Sequence, residues 1–153
     1  MDLIDKRILH ILADNSHASS TEIGEKVGLS VPAVNKRIQK LQDSSLIKRF
    51  SIMTDPKSMG KPIVAYILLV IRFGNDVDKL LECVNDDCDV LECYAVTGEY
   101  DYIIKICASD IETLEKKLLN LKRQKGVIKS HTMLSLMEHK LQQTVLPDIS
   151  EIE

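Results

Sequence analysis

Between Ser30 and Gln42 the chain carries Lys36, Arg37 and Lys40 and no acidic residue. Asn35 and Gln39 have the amide groups that pair bidentately with adenine. Lys36, Arg37 and Lys40 can reach guanine or phosphate, and Ala33 can meet a thymine methyl. Val34, Ile38 and Leu41 recur at i, i+4 and i+7, so a helix here buries them. The opposite side then presents Pro32, Lys36 and Gln39, flanked by Ala33, Asn35 and Lys40. Ser20, Thr21 and Ser30 stand where helix N-termini are expected, and free backbone amides there receive phosphate. The chemistry on offer is the reading of double-stranded DNA.

Those side chains need a scaffold, and the first 50 residues supply three short helices. Asp2 caps a first helix in which Ile4, Ile8, Ile11 and Leu12 recur at helical spacing. Asp14-Asn15-Ser16-His17 is turn-like and ends it. Ser19-x-x-Glu22 is a capping box that opens the second helix, with Ile23 and Val27 inward. Gly28 suits the left-handed residue that stops it. Ser30 is the next N-cap, and Pro32 is tolerated in the first turn of the third helix. Two capped helices joined by a short Gly-containing turn define a helix-turn-helix.

Other reactive residues offer less. Cys83, Cys88, Cys93 and Cys107 form no C-x-x-C pair and match no common zinc spacing, so free thiols are expected. The four histidines are expected to be surface or hydrogen-bonded residues. No catalytic constellation, metal set or cofactor motif is evident.

Composition is that of a folded protein. The chain has 153 residues, 44% hydrophobic and 28% charged, too apolar for disorder and long enough for one large or two small domains. Two Phe, four Tyr and no Trp imply an aliphatic core. No apolar run is long enough to span a bilayer, and Asp2-Leu3-Ile4-Asp5-Lys6-Arg7 is no signal region, so a cytoplasmic protein is expected. The net charge of −3 conceals an asymmetry: residues 1–60 carry nine Lys/Arg against seven Asp/Glu, and residues 61–153 carry eleven against sixteen. Only the front half suits a polyanion.

The back half alternates strand and helix. Leu46–Ile52 is expected as a short connecting strand, followed by a turn-rich linker through Asp55-Pro56 to Lys61-Pro62. Residues 63–72 are β-rich and apolar on both faces, which predicts a central strand ended by Gly74-Asn75. Val77, Leu80, Leu81 and Val84 form a helical stripe. Asp89–Thr97 and Tyr102–Ala108 read as a hairpin around Gly98-Glu99-Tyr100-Asp101. Asp110 caps a second helix, Gly126 closes it, and Val127–Met137 is the last strand. The order βαββαβ predicts a split βαβ, ferredoxin-like unit. One face of its sheet would remain open, and a symmetric dimer through the sheets would cover it. Such a dimer also sets two reading heads at a fixed spacing, as palindromic half-sites require.

The chain resembles the leucine-responsive/asparagine (Lrp/AsnC, feast/famine) regulators over nearly its full length. The resemblance rests on Leu3-Ile4-Asp5-x-Arg7-Ile8-Leu9, on Gly28-Leu29-Ser30, and on Val34-x-x-Arg37-Ile38-x-x-Leu41. In the back half it rests on Val96-Thr97-Gly98-Glu99-Tyr100-Asp101-Tyr102 and Gly126-Val127. It implies an α+β protein: a helix-turn-helix (winged-helix-like) DNA-binding domain at 1–50, a linker at 51–62, a ferredoxin-like effector-binding and assembly domain at 63–142, and a tail at 143–153. It also implies dimers that assemble further, often to octamers, and an amino-acid effector held between subunits. Carried over, the effector turn is Gly98 and Asp101, with Thr97, Glu99 and Tyr100 adjacent. A Gly-containing turn lets backbone approach a ligand, and a carboxylate can hold an ammonium group. Two positions depart from the family pattern. His17 stands where Arg is usual, and Ser45 stands where Gly is usual, at a cost of about 1 kcal/mol if its φ is positive.

Two rival functions have different signatures. A sirohaem-decarboxylase-like enzyme on the same architecture would need converging Arg and His, for which the back half offers Arg72, Arg123, His131 and His139. A thiol- or metal-responsive regulator would use Cys83, Cys88 and Cys93.

Overall fold

The computed structural model describes residues 1–72 and 76–149, in two compact units: Met1–Ile52 with the tail from Lys140 onward, and Met53–His139. Each is built by its own sequence logic. Gly74-Asn75, expected to end the first strand, lies outside the described residues.

The first unit holds α1 (Leu3–Asp14), α2 (Ser20–Val27) and α3 (Val31–Asp43). Asp2 and Asp5 form one reciprocal capping box, and Ser19 and Glu22 form a second. Gly28 ends α2 at φ 72°, in the left-handed region where a side chain would be strained. Ser30 occupies the N-cap of α3, although its side chain makes no capping hydrogen bond. Ser45 adopts φ 58°, the single non-glycine with positive φ among the described residues. Ile8, Ile23 and Val34 are fully buried, and Leu12 and Leu41 nearly so, which locks the three helices around one aliphatic cluster.

Gly24 explains how closely α2 meets the turn that follows. A Cβ placed there would lie 2.5 Å from the Leu29 carbonyl oxygen. The Leu29 amide donates to the Gly24 carbonyl at 3.0 Å, so backbone packs directly on backbone.

The tail returns to this unit. Lys6 Nζ donates to the Asp148 carbonyl at 3.0 Å, and His10 Nε2 lies 2.9 Å from the Pro147 carbonyl. Residues 46–52 join no sheet among the described residues, against the expected connecting strand. Leu46 and Ile47 form a bend in which the Ile47 amide donates to the Leu41 carbonyl, and strand-forming residues without a ladder partner are not a strand.

The second unit comprises β1 (Ile63–Ile71), α4 (Asp76–Asp86), β2 (Val90–Ala95), β3 (Tyr102–Ala108), α5 (Ile111–Lys122) and β4 (Val127–Leu134). The sheet order is β2-β3-β1-β4, antiparallel throughout, as a split βαβ unit requires. The strand expected to run to Met137 ends at Leu134, because its partner β1 runs out: Leu134 faces Ala65, and Ser135 donates to Val64 as the last bond.

Alternation along β1 sorts the sheet into two faces. Ala65, Ile67, Leu69 and Ile71 are buried beneath Leu80 and Val84 of α4 and Leu114 and Leu121 of α5. Val64, Tyr66, Leu68 and Val70 point the other way and are half-exposed. This open face also carries Ile103 and Tyr94, which the register places alongside Leu68. Among the described residues no helix is long and apolar enough to cross a membrane.

Candidate nucleic-acid interface and effector turn

Helix α3 buries Val34 and Leu41 and turns Pro32, Asn35, Lys36, Gln39 and Lys40 outward, all exposed. Ala33 is half-buried at the edge of that face. Neither Lys36 nor Lys40 is in an ion pair among the described residues. The two amide side chains are steadied from behind: Ser20 Oγ donates to Asn35 Oδ1 at 2.5 Å, and Gln39 Nε2 donates to Asp43 Oδ1 at 2.8 Å. Ser20 thereby links the start of α2 to α3. Thr21 and Ser30 remain exposed at the starts of α2 and α3.

Arg37 differs from its neighbours on α3. Its Nη1 reaches Asp2 at 2.7 Å and Asp5 at 2.6 Å, and Asp5 is 5% exposed, so in addition to the DNA contact expected of it Arg37 ties α3 to α1. Position i+3 from Val34 turns it toward α1, where the acidic capping box lies. That partnership holds the guanidinium above its ordinary pKa. The Asp2 carboxyl is held below its own value, chiefly by the Asp5 amide and then by Arg37. The pattern V-x-x-R-I could have signalled this, because Arg37 sits between two core positions.

The turn before β3 is tied into the sheet by Asp101. Its amide donates to the Leu69 carbonyl at 2.9 Å, its carbonyl accepts from Val96 at 2.9 Å, and its Oδ2 accepts from the Ile71 amide at 2.8 Å. Gly98 lies at φ 121° with open space where a Cβ would project. Thr97 and Glu99 are exposed, and Tyr100 is half-buried.

Lys129, which sequence reading passed over, and His131, named there only for the decarboxylase-like alternative, complete this neighbourhood. The β1–β4 register puts Lys129 opposite Val70 and His131 opposite Leu68, on the open face. Lys129 Nζ donates to Glu99 Oε1 at 2.7 Å and lies 5.1 Å from the Tyr100 ring centroid. The Tyr100 and His131 rings are 6.3 Å apart. The ion pair lowers the Glu99 pKa and raises that of Lys129. The alternation Lys129-x-His131 was the available signal, but only the pairing of β4 with β1 assigns its neighbours.

The cysteines do not converge as a trio. Cys83 accepts from Asn120 and Gln124, Cys93 packs against the core, and Cys107 is buried. Burial pushes the Cys83, Cys93 and Cys107 thiols up, away from the reactive thiolate. Among the described residues the donor group compact enough for an ion is Asp87, Cys88 and Asp89. Its carboxylates already hold Lys117, and Asp89 also holds Lys61. Of the groups that decarboxylase chemistry would need, His131 faces Tyr100 and the Arg72 amide meets the Gly126 carbonyl.

A helix-turn-helix head with a polar, basic third helix, joined to a split βαβ module with a Gly-x-x-Asp turn, defines a DNA-binding regulator with a separate ligand-binding module. Residues 1–42 match the AsnC-type helix-turn-helix domain, and residues 65–145 match the Lrp/AsnC ligand binding domain. The chain is 33% identical over 147 residues to the HTH-type transcriptional regulator FL11 of Pyrococcus abyssi, covering 96% of both chains. It is 32% identical over 130 residues to the transcriptional regulator AzlB of Bacillus subtilis, covering 84% of this chain and 83% of that one. A solved regulator from Neisseria meningitidis, NMB0573 in complex with L-methionine, superposes with a TM-score of 0.90 at 26% identity, over 95% and 96% of the two chains. The chain belongs to the Lrp/AsnC family of transcriptional regulators. These names are those of regulators rather than enzymes, and the decarboxylase-like alternative is set aside.

Proposed function

We propose that the protein reads a specific operator through α3 and that an amino acid, bound at the Thr97–Asp101 turn, changes its assembly and thereby its DNA affinity. The observation that carries the reading is the exposed face of α3, where Asn35 and Gln39 are held ready and Lys36 and Lys40 have no ion-pair partner among the described residues. In this reading Asn35 and Gln39 recognise base edges, Lys36 and Lys40 neutralise phosphate, and Arg37 holds the head together.

An α-amino acid needs a carboxylate for its ammonium group and a cation for its carboxylate. Glu99 and Lys129 offer both side by side, and Asp101 Oδ1 adds a second acceptor. Support for this effector class also comes from the neighbour solved with L-methionine. The half-exposed apolar residues of the open face support a dimer through the sheets, and dimers then assemble into rings such as octamers. An effector that favours one assembly shifts the number of heads presented to DNA by its differential affinity for the two states. The proposed mechanism needs no metal or cofactor.

The test is light scattering and operator affinity of the full chain, each without and with every proteinogenic amino acid in turn. A change in both by at least one of them supports the reading. No change in either with any of them contradicts it.

A further inference from the structure

Positive charge in the ligand-binding module is gathered into one segment. Residues 116–137 contain Lys116, Lys117, Lys122, Arg123, Lys125 and Lys129 and no Asp or Glu, whereas residues 61–115 contain four basic and twelve acidic residues. Three of the six are neutralised: Lys116 by Glu112, Lys117 by Asp87 and Asp89, and Lys129 by Glu99. Lys122, Arg123 and Lys125 are exposed and in no ion pair among the described residues. The sheet brings a fourth cation to the same end, since the Arg72 amide donates to the Gly126 carbonyl at 2.7 Å and Ile71 pairs with Val127.

Helix C-termini attract cations, and the C-terminal end of the α5 dipole accounts for Lys122 and Arg123. It does not account for Lys125 and Arg72, which lie outside the helix. Four long, exposed cations at one end of the module, none in an ion pair among the described residues, leave a local excess of positive charge for an anion to meet. Lysine is depleted from the cores of protein–protein interfaces, which disfavours a second copy as that anion. Double-stranded DNA, with one negative charge per about 1.7 Å of axis, suits a row of flexible cations and demands no shape complementarity.

We propose that Arg72, Lys122, Arg123 and Lys125 form a second, sequence-independent DNA contact, made by the ligand-binding module to phosphates of the bound duplex. This rests on the DNA-binding reading above. Its role is to add affinity and salt dependence without specificity, and to make DNA itself sensitive to the arrangement of the assembled modules.

The test compares the unmodified full chain with three variants, on a duplex carrying the upstream region of the gene and on a scrambled duplex, across a salt series. Lys122→Gln/Arg123→Gln/Lys125→Gln should reduce the slope of log affinity against log salt by about 2–3, while preference over a scrambled duplex stays the same. Lys79→Gln/Lys116→Gln/Lys140→Gln removes the same charge elsewhere and should leave the slope within error. A smaller variant outside the helix, Arg72→Gln/Lys125→Gln, guards against misfolding and should lower the slope by about 1–2. An unchanged slope in both patch variants, or an equal loss in the charge-matched control, overturns the proposal. So does a change in assembly mass by light scattering, which would assign the patch to contacts between copies. Absence of binding by the unmodified protein would overturn the regulator reading itself, a distinct result.

Discussion

On α3, the helix whose other face meets solvent, the guanidinium of Arg37 lies 2.6 Å from the carboxylate of Asp5, a buried acidic residue on α1. The pair fastens the helix that presents Asn35 and Lys36 to the helix that carries the domain's N-terminus. Replacing Arg37 with Ala leaves the Asp5 charge buried without its cation, at a cost of about 3 kcal/mol, the low end for a broken buried pair because Asp2 is half-exposed. Denaturant unfolding of the Arg37→Ala protein should show this loss. An Arg37→Ala protein that keeps full stability and loses only DNA affinity would leave Arg37 as a DNA contact alone.

Gly24 is packed directly against the turn that follows α2, where an added Cβ would lie 2.5 Å from the Leu29 carbonyl oxygen. Gly24→Ala would ordinarily favour a helix by about 1 kcal/mol. Here overpacking dominates, and a net loss of about 1–2 kcal/mol is expected in thermal unfolding.

The capping boxes make the head acid-sensitive. The Asp2 and Glu22 carboxyls are both held below their ordinary values of 3.8 and 4.5, Asp2 chiefly by the Asp5 amide and Glu22 chiefly by the Ser19 amide. The unfolded chain therefore takes up protons before the folded one. Stability from these groups is complete above their ordinary values and declines as pH falls below those values and through the lowered ones. Unfolding midpoints measured down that range should fall more steeply for the natural protein than for Asp2→Asn, whose cap no longer titrates.

Effector response and turn stability should separate by residue. Lys129→Ala and Glu99→Gln remove an exposed, solvent-screened pair and should blunt the amino-acid response while the unfolding midpoint stays close to that of the natural protein. Asp101→Ala also removes the acceptor for the Ile71 amide, so it should lower stability by about 1 kcal/mol in addition to blunting the response. Equal stability losses in all three would mean that the turn is purely structural.

Much of this was legible in the residues. Asp2, Ser19 and Gly28 marked helix ends because caps are local chemistry, carried by one residue and the amides three positions away. The strand order followed from the alternation of strand and helix, because βαβ units cross over in few ways. What was not legible depended on partners far along the chain. The ion pairs that Arg37 makes with Asp2 and Asp5 were not foreseen, because those acidic partners lie 35 and 32 residues away. Lys129 and His131 join Glu99 and Tyr100 through the pairing of β4 with β1, which no local pattern announces. The segment from Leu46 to Ile52 has strand-forming residues but no strand partner among the described residues, and pairing rather than propensity makes a strand.

The most direct test of the central claim is the affinity of the full chain for its own upstream region, against a scrambled duplex of equal length, across a salt series. Tighter binding to the upstream region, with affinity falling steeply as salt rises, is the expected result. In Asn35→Ala and Gln39→Ala the preference should relax, and in Lys36→Ala and Lys40→Ala the salt slope should drop by about 1 each. Equal affinity for both duplexes, with a slope indifferent to Lys36 and Lys40, would contradict the reading of α3 as the DNA-recognition helix.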